Sequence, residues 1–393
     1  MIAGVQIEFF LFALMLIGVA VFRRRTFEIA IVGVVVITGF RWLATPFNPV
    51  QHLYGEWQLL LNLFGLLMGF ALLARHFEES HLPAVLPRWL PSGWMGGFTL
   101  LVFIFVLSSF LDNIAAALIG GTIARVVFRR RVHIGYLAAI VAASNAGGAG
   151  SVVGDTTTTM MWIGGVSPAD VLHAYVGAGV AIVMCGLVAT YQQQRLRPIT
   201  HTKKSSRIDG GRLLIVVGIL VSAFLANLLF DFPAIGVWLA ILVGAIFRTT
   251  HWPELRQSLK GSVFLVALVW CASLMPVNSL PDGSVLSVFV MGFLSAVSGS
   301  ITLTKLALDQ GGYDWGYVAY AAGYGGSMIW FGSSAGVALI NLFPKGRSVG
   351  LWMKNGWHVT VSYIVGFTVM LALLGWHPQE KEMPKSVDLS VGK

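Results

Sequence analysis

Charge is scarce in this chain. Asp, Glu, Lys and Arg make up 11% of its 393 residues, less than half of the roughly 25% usual in soluble domains. With 56% hydrophobic residues and a mean hydropathy of +0.78, that shortage excludes an ordinary soluble globule and indicates an integral membrane protein. Long polar stretches are missing as well: none exceeds about 20 residues, so no separate soluble domain is left over. Cysteine is rarer still. Cys185 and Cys271 both fall inside apolar segments, which removes a disulfide framework and a thiolate metal cluster. Metal-ligand spacing, a nucleophile–base arrangement and a Gly-x-x-x-x-Gly-Lys-Ser/Thr loop are all lacking. Hydrolase chemistry and ATP hydrolysis therefore have no support; the expectation is not an enzyme, and no cofactor. The first apolar run has no basic region ahead of it and is expected to be a retained span rather than a cleaved signal.

Acids are short relative to bases, 17 against 26, giving a formal charge of +9. In a soluble protein such an excess suggests nucleic acid. Here the Lys and Arg sit in short clusters between apolar runs, the positive-inside pattern of a bilayer protein, so no nucleic-acid partner is expected.

What is present is a series of apolar runs long enough for spanning helices. Spans are expected at Val5–Phe22, Phe27–Leu43 and Trp57–Ala74, and placing Arg23, Arg24 and Arg25 inside puts the N-terminus outside. The segment 94–128 is too long for one span and is interrupted at Asp112 and Asn113. Crossing straight through would carry Arg125, Arg129, Arg130 and Arg131 outside, so a re-entrant hairpin is expected. Residues 133–165 read as a span broken at Ser144–Thr159, a stretch rich in glycine and hydroxyls. Such backbone is expensive at membrane depth unless it lines a cavity. Val171–Tyr191 returns inside, where the basic linker 192–212 follows.

The second half repeats the scheme in inverted orientation. Spans are expected at Leu213–Phe230, Ala234–Phe247 and Ser262–Leu280, then a hairpin at 286–312, a broken helix at 314–343 and a span at Gly356–Leu374. The polar tail 376–393 then ends outside. The expected fold is an all-α polytopic membrane protein of two inverted repeats, 1–191 and 213–375, with about ten spans and two hairpins, the pattern of a secondary transporter. Residues support the repeat. Leu107, Ser108 and Ile114 match Leu294, Ser295 and Ile301, while Gly147, Gly148 and Gly154 match Gly325, Gly326 and Gly332 at the same spacing.

Asp112 and Asn113, between apolar flanks at a hairpin tip, are either caps of a turn or a carboxylate site that needs a cation, a proton or a wet cavity. Asp155 opens the second half-helix, where capping and ion binding are compatible. Gly147 and Gly148 allow close approach to a ligand, and Thr156 and Thr157 offer hydroxyl oxygens. The second half places Gly299 and Ser300 opposite Asp112 and Asn113, and Ser333 and Ser334 opposite Asp155 and Thr156. Lys305 is either a fixed positive charge of the site or a lysine that snorkels to the interface.

Phe110 through Ala117, Asn145 through Gly148, and Gly154 through Ile163 resemble the sodium/proton antiporters of the NhaD type. Gly325-Gly326-Ser327 and Gly332 through Ala338 resemble that family's second broken span. The wider group is the ion-transporter superfamily, with its citrate, dicarboxylate and arsenite carriers. The resemblance covers both halves and is strongest over residues 105–170. It implies an elevator-type carrier, often a homodimer, with sodium held at Asp112, Asn113, Asn145 and Asp155. Such antiporters usually carry an Asp-Asn pair in the second hairpin too, where this chain has Gly299 and Ser300. The functional expectation is sodium/proton exchange in the inner membrane. Cation-coupled uptake of an organic anion such as citrate is the alternative, and a membrane enzyme or scaffold that has lost transport is a third.

Overall fold

The computed structural model describes residues 7–22, 25–85, 90–151, 154–163, 165–199, 208–230, 232–275 and 283–379. Among them the protein is all-helical, with one isolated bridge between Tyr313 and Gln379. The first helices are α1 (Ile7–Val21), α2 (Thr26–Ala44), α3 (Pro49–Glu79) and the short α4 (Leu82–Val85). The first interrupted region follows: α5 (Trp94–Ser108), α6 (Asn113–Val127), α7 (Ile134–Ala149) and α8 (Thr156–Ile163), then α9 (Pro168–Leu172) and α10 (Ala174–Leu196). Next come α11 (Gly210–Phe230), α12 (Pro233–Phe247) and α13 (Pro253–Ser273). The second interrupted region is α14 (Val285–Ser298), α15 (Ser300–Gln310), α16 (Trp315–Gly325), a 3-10 turn at Gly326–Met328 and α17 (Ser334–Leu342). A second 3-10 turn (Pro344–Arg347), α18 (Val349–Asn355) and α19 (Trp357–Leu374) complete the chain. Six helical segments are long and apolar enough to cross a membrane, and shorter apolar helices accompany them, as in a polytopic membrane protein.

The helices sort into two sets. In one, α1, α2, α3, α11, α12 and α13 pack side by side. In the other, α5 to α8 and α14 to α17 interlock and lean on α10 and α19. The sets meet chiefly where α3 packs on α6 and α13 on α17. Within the first set the backbones of α3 and α12 approach closely. A Cβ on Gly69 would overlap the Val237 side chain, and one on Gly65 would lie 2.8 Å from the Ala234 Cβ. The first N–H groups of a helix lack intrahelical acceptors; here Ala234 donates to Asn62 Oδ1 at 2.9 Å, and Trp238 Nε1 donates to the Gly65 carbonyl at 3.0 Å. Small residues four apart let membrane helices pack this way.

Several element ends differ from those expected. Helix α3 begins eight residues before Trp57, because Asn48 Oδ1 accepts the N–H groups of Val50 and Gln51 and Pro49 fits the first turn. Hydropathy sees only the apolar middle of such a helix; backbone hydrogen bonding carries it through His52 and Glu56 at one end and Arg75 to Glu79 at the other. Helix α10 runs to Leu196 and α11 starts at Gly210, within the expected linker 192–212, of which 200–207 lie outside the described residues. Asp209 caps α11 by accepting from Gly211 and Arg212 at 3.0 and 3.2 Å. Those backbone donors, with Arg248 at 3.6 Å, hold its carboxyl below the ordinary value. Helix α13 begins at Pro253, well ahead of the expected Ser262, so Arg256 and Lys260 lie in its first turns rather than in a loop.

Replacing Gly69 with leucine should lower the thermal midpoint in detergent, at the roughly 1–3 kcal/mol usual for overpacking. Gly39→Leu, where nothing lies within 4 Å of the added Cβ, should change stability by less than about 0.5 kcal/mol. Equal midpoints for the two variants would remove the α3–α12 contact as a packing constraint.

Candidate ion-binding site

The expected hairpin at 94–128 is two helices of 15 residues each, joined through Ser109–Asp112. Neither is long enough to span alone, at about 1.5 Å rise per residue. Asp112 caps α6: its Oδ1 accepts the Ile114 N–H at 2.8 Å. The turn is tied to the end of α7. Ser108 Oγ donates to the Ser144 carbonyl at 2.6 Å and Ser109 Oγ to the Gly147 carbonyl at 3.2 Å. Tyr175 OH donates to the same Gly147 carbonyl at 3.1 Å. Gly147 is required there because any Cβ would overlap the Phe105 carbonyl oxygen. A Cβ on Gly148 would lie 2.8 Å from the Gly154 carbonyl oxygen, across the break between α7 and α8.

An amide chain joins the halves at the centre. Asn113 Nδ2 donates to Asn145 Oδ1 at 3.1 Å, and Asn145 Nδ2 donates to Ser327 Oγ at 3.0 Å. The three residues are buried, at 4%, 1% and 0% exposure. Asn145 thus uses both ends of its amide, whereas Asn113 Oδ1 is buried with no hydrogen-bond partner.

The threonines divide in the same manner. Thr158 Oγ1 lies 2.5 Å from the Ser151 carbonyl oxygen and 2.9 Å from that of Asp155, and Thr159 Oγ1 donates to the Asp155 carbonyl at 3.0 Å. Both hydroxyls are spent on backbone. Thr157 Oγ1 is buried and has no such bond. Asp155 Oδ1 accepts the Thr157 N–H at 3.3 Å, and its Oδ2 lies 3.5 Å from where a Cβ of Gly323 would stand. Counting from the matched glycines, Gly323 occupies in the second half the place of Asn145. The side chains of Thr156 and Lys305 lie outside the described residues.

The second region copies the backbone scheme of the first. Ser295 Oγ donates to the Ala322 carbonyl at 2.6 Å, as Ser108 does to Ser144. A Cβ on Gly325 would overlap the Gly292 carbonyl oxygen, and one on Gly326 would lie 2.8 Å from that of Gly332. Ser333 Oγ accepts the Gly336 N–H at 3.1 Å. The tips differ. The second hairpin turns at Gly299 alone, with φ 87° and ψ 146°, a conformation open essentially only to glycine. Asp112, with four residues in its turn, has φ −52°.

The two acids face different spaces. Asp112, with Thr159 and Met160, borders a cavity of about 420 Å³ completed by Glu56 and Asn62 of α3 and Asn227 of α11. Asp155 borders a cleft of only about 20 Å³, with Ser300 at the second hairpin tip and Ser333 and Ser334 at the start of α17. That volume holds about one water. Asp112 lines the larger of these openings and Asp155 the smaller. Glu56 and Ser327 were not expected at this centre. Ser327 carries a signal, since it follows the matched glycine pair directly; Glu56 has none, because α3 joins the cavity only in the folded packing.

No family model matches the chain. Sodium/proton antiporter 1 of Arabidopsis thaliana is 26% identical over 341 residues, 75% of this chain and 57% of that protein. Sodium/proton antiporter 2 of the same plant is 27% identical over 296 residues, 63% of this chain and 69% of that protein. The match thus spans little more than half the length of the first relative.

Gly299→Asp, which supplies the missing acid, should destabilise the protein by about 1–3 kcal/mol because of its backbone conformation. A thermal midpoint equal to wild type would show that the tip accepts a side chain and that strain does not account for the glycine.

Proposed function

We propose that the chain is a secondary carrier of the sodium/proton antiporter type, rather than an enzyme, exchanging a monovalent cation for protons at Asp112 and Asp155. The observation that carries this reading is that two of the buried oxygens without a hydrogen-bond partner, Asn113 Oδ1 and Thr157 Oγ1, lie within two residues of the two acids. A buried acceptor without a donor costs about 1–3 kcal/mol. A cation offsets that cost by accepting their lone pairs, and sodium is a hard ion that favours such oxygens. The similarity to two plant sodium/proton antiporters supports the same direction.

The residues divide the work. The Asp112 and Asp155 carboxylates hold either the cation or protons, since ionised acids at that depth need one or the other. Asn113 and Thr157 strip water from the ion. Asn145, fully hydrogen-bonded to Asn113 and Ser327, fixes the first hairpin to both broken helices so that they move as one body. Alternating exposure requires one access route open and the other shut. The roomy cavity at Asp112 and the narrow cleft at Asp155 fit a carrier resting in one of its two states.

The inverted repeat supplies the second state, in which the hairpins and broken helices shift against α3 and α13. Arg75, Glu78, Glu79, Arg125 and Arg212 form an ion-pair network at one end of the array, with Arg212 2.5 Å from Glu79. Taking that basic end as the inner side of an inner (plasma) membrane places both termini outside and opens the large cavity outward.

In everted vesicles, wild-type protein should give sodium-dependent dequenching of a pH dye, and Asp112→Asn or Asp155→Asn should abolish it. Thr157→Val should raise the half-saturating sodium concentration about tenfold, on the order of 1.4 kcal/mol of lost binding. Thr159→Val, whose hydroxyl serves backbone, should raise it less. A wild-type protein that gives no response to sodium, lithium or potassium at any pH would sink the exchange reading.

A further inference from the structure

A second polar cavity, of about 160 Å³, lies away from the acids at the junction of the two helix sets. Thr26 and Glu28 reach it from the first turn of α2, Lys260 from α13, Asn341 from the last turn of α17, and Arg347 from the 3-10 turn that follows. All of these but Lys260 lie in the first or last turn of a helix or in the turn that follows one, which places the cavity near the start of α2 and the end of α17. Trp330 also lines it. That indole is 3% exposed, lies 5.7 Å from the Phe264 ring, and has a buried Nε1–H with no acceptor. Lys260 and Arg347 form no ion pair among the described residues, with Glu28 or with any other acid. Two cations stand against one carboxylate here, and the wall holds a buried indole N–H without an acceptor.

We propose that this cavity binds a phosphate group, with Lys260 and Arg347 supplying charge and Trp330 Nε1 a directed hydrogen bond. Arg and Lys favour phosphate through charge-assisted bonds, and the open indole N–H is satisfied only by an acceptor. The phosphate comes either from a lipid headgroup at the bilayer surface or from a free anion in the adjoining water. Helices α13 and α17 touch beside the cavity: a Cβ on Gly261 would lie 2.6 Å from the Asn341 amide. A phosphate held between Lys260 of one helix set and Arg347 of the other bridges the surface along which a carrier must slide, and therefore slows exchange. Only that last effect rests on the antiporter reading; binding stands on the cavity's own residues.

The test uses the purified full chain in a neutral detergent, with inorganic phosphate and dioctanoyl phosphatidylglycerol as probes and dioctanoyl glycerol as the uncharged control. At least one phosphate probe should raise the thermal midpoint, because a ligand of the native state stabilises by mass action. Lys260→Gln/Arg347→Gln should remove the shift, Trp330→Phe should weaken affinity about three- to tenfold, and Asp112→Asn should leave it intact. Stabilisation by phosphatidylglycerol alone identifies the lipid as source, and stabilisation by both identifies phosphate itself; either outcome supports the site. If the double variant does not fold, Lys260→Gln and Trp330→Phe must each weaken binding. No shift with either probe, or an undiminished shift in these variants, overturns the proposal. Phosphate binding without sodium-dependent proton movement would sink the antiporter reading while leaving this site in place.

Discussion

Helix interruptions from both halves of the chain meet at the Asn145 amide, and the central architecture depends on that meeting. In an apolar array, every interrupted turn of backbone needs internal partners, because lipid offers none. The chain meets the requirement with small residues and short polar side chains. Ser108, Ser109 and Tyr175 satisfy carbonyls at the end of α7, Ser295 does so along α16, and Asn145 links Asn113 to Ser327 across the halves. Glycines at 147 and 325 bring a hairpin backbone against each broken helix. The breaks are stable because they are mutually satisfied.

That economy leaves a small remainder, and the remainder suggests function. Most polar atoms at the centre are used. Asn113 Oδ1 and Thr157 Oγ1 are not, and each lies within two residues of a carboxylate in the sequence. The second half, equal to the first in backbone design, contributes hydroxyls and empty space instead of acids. Gly299 turns the chain through a positive φ that side chains rarely adopt. The asymmetry of charge is therefore built into the conformation of the second tip.

Much of this was legible in the residues. The interruptions at Asp112 and around Ser144–Thr159 stand out against apolar flanks, and the glycine spacing marks their counterparts. Helix ends were less legible: α3 extends through polar residues at both ends because Asn48 and Pro49 start it early and side-chain partners support it. Nor does spacing sort four consecutive threonines. Thr158 and Thr159 turn to the Ser151 and Asp155 carbonyls, which only the folded turn brings within reach.

The sequence by itself determined that this is an all-helical membrane protein with two interrupted regions, whose breaks carry acids, Asp112 and Asp155, only in the first. Composition and periodicity are local properties, and local properties suffice for that. Tertiary structure decided which oxygens remain unpaired and that Glu56 joins the cavity beside Asp112. It also decided that Lys260, Trp330 and Arg347 share a cavity. Those are relations between helices far apart in the chain, set by how close their backbones approach, and spacing along the sequence does not encode them.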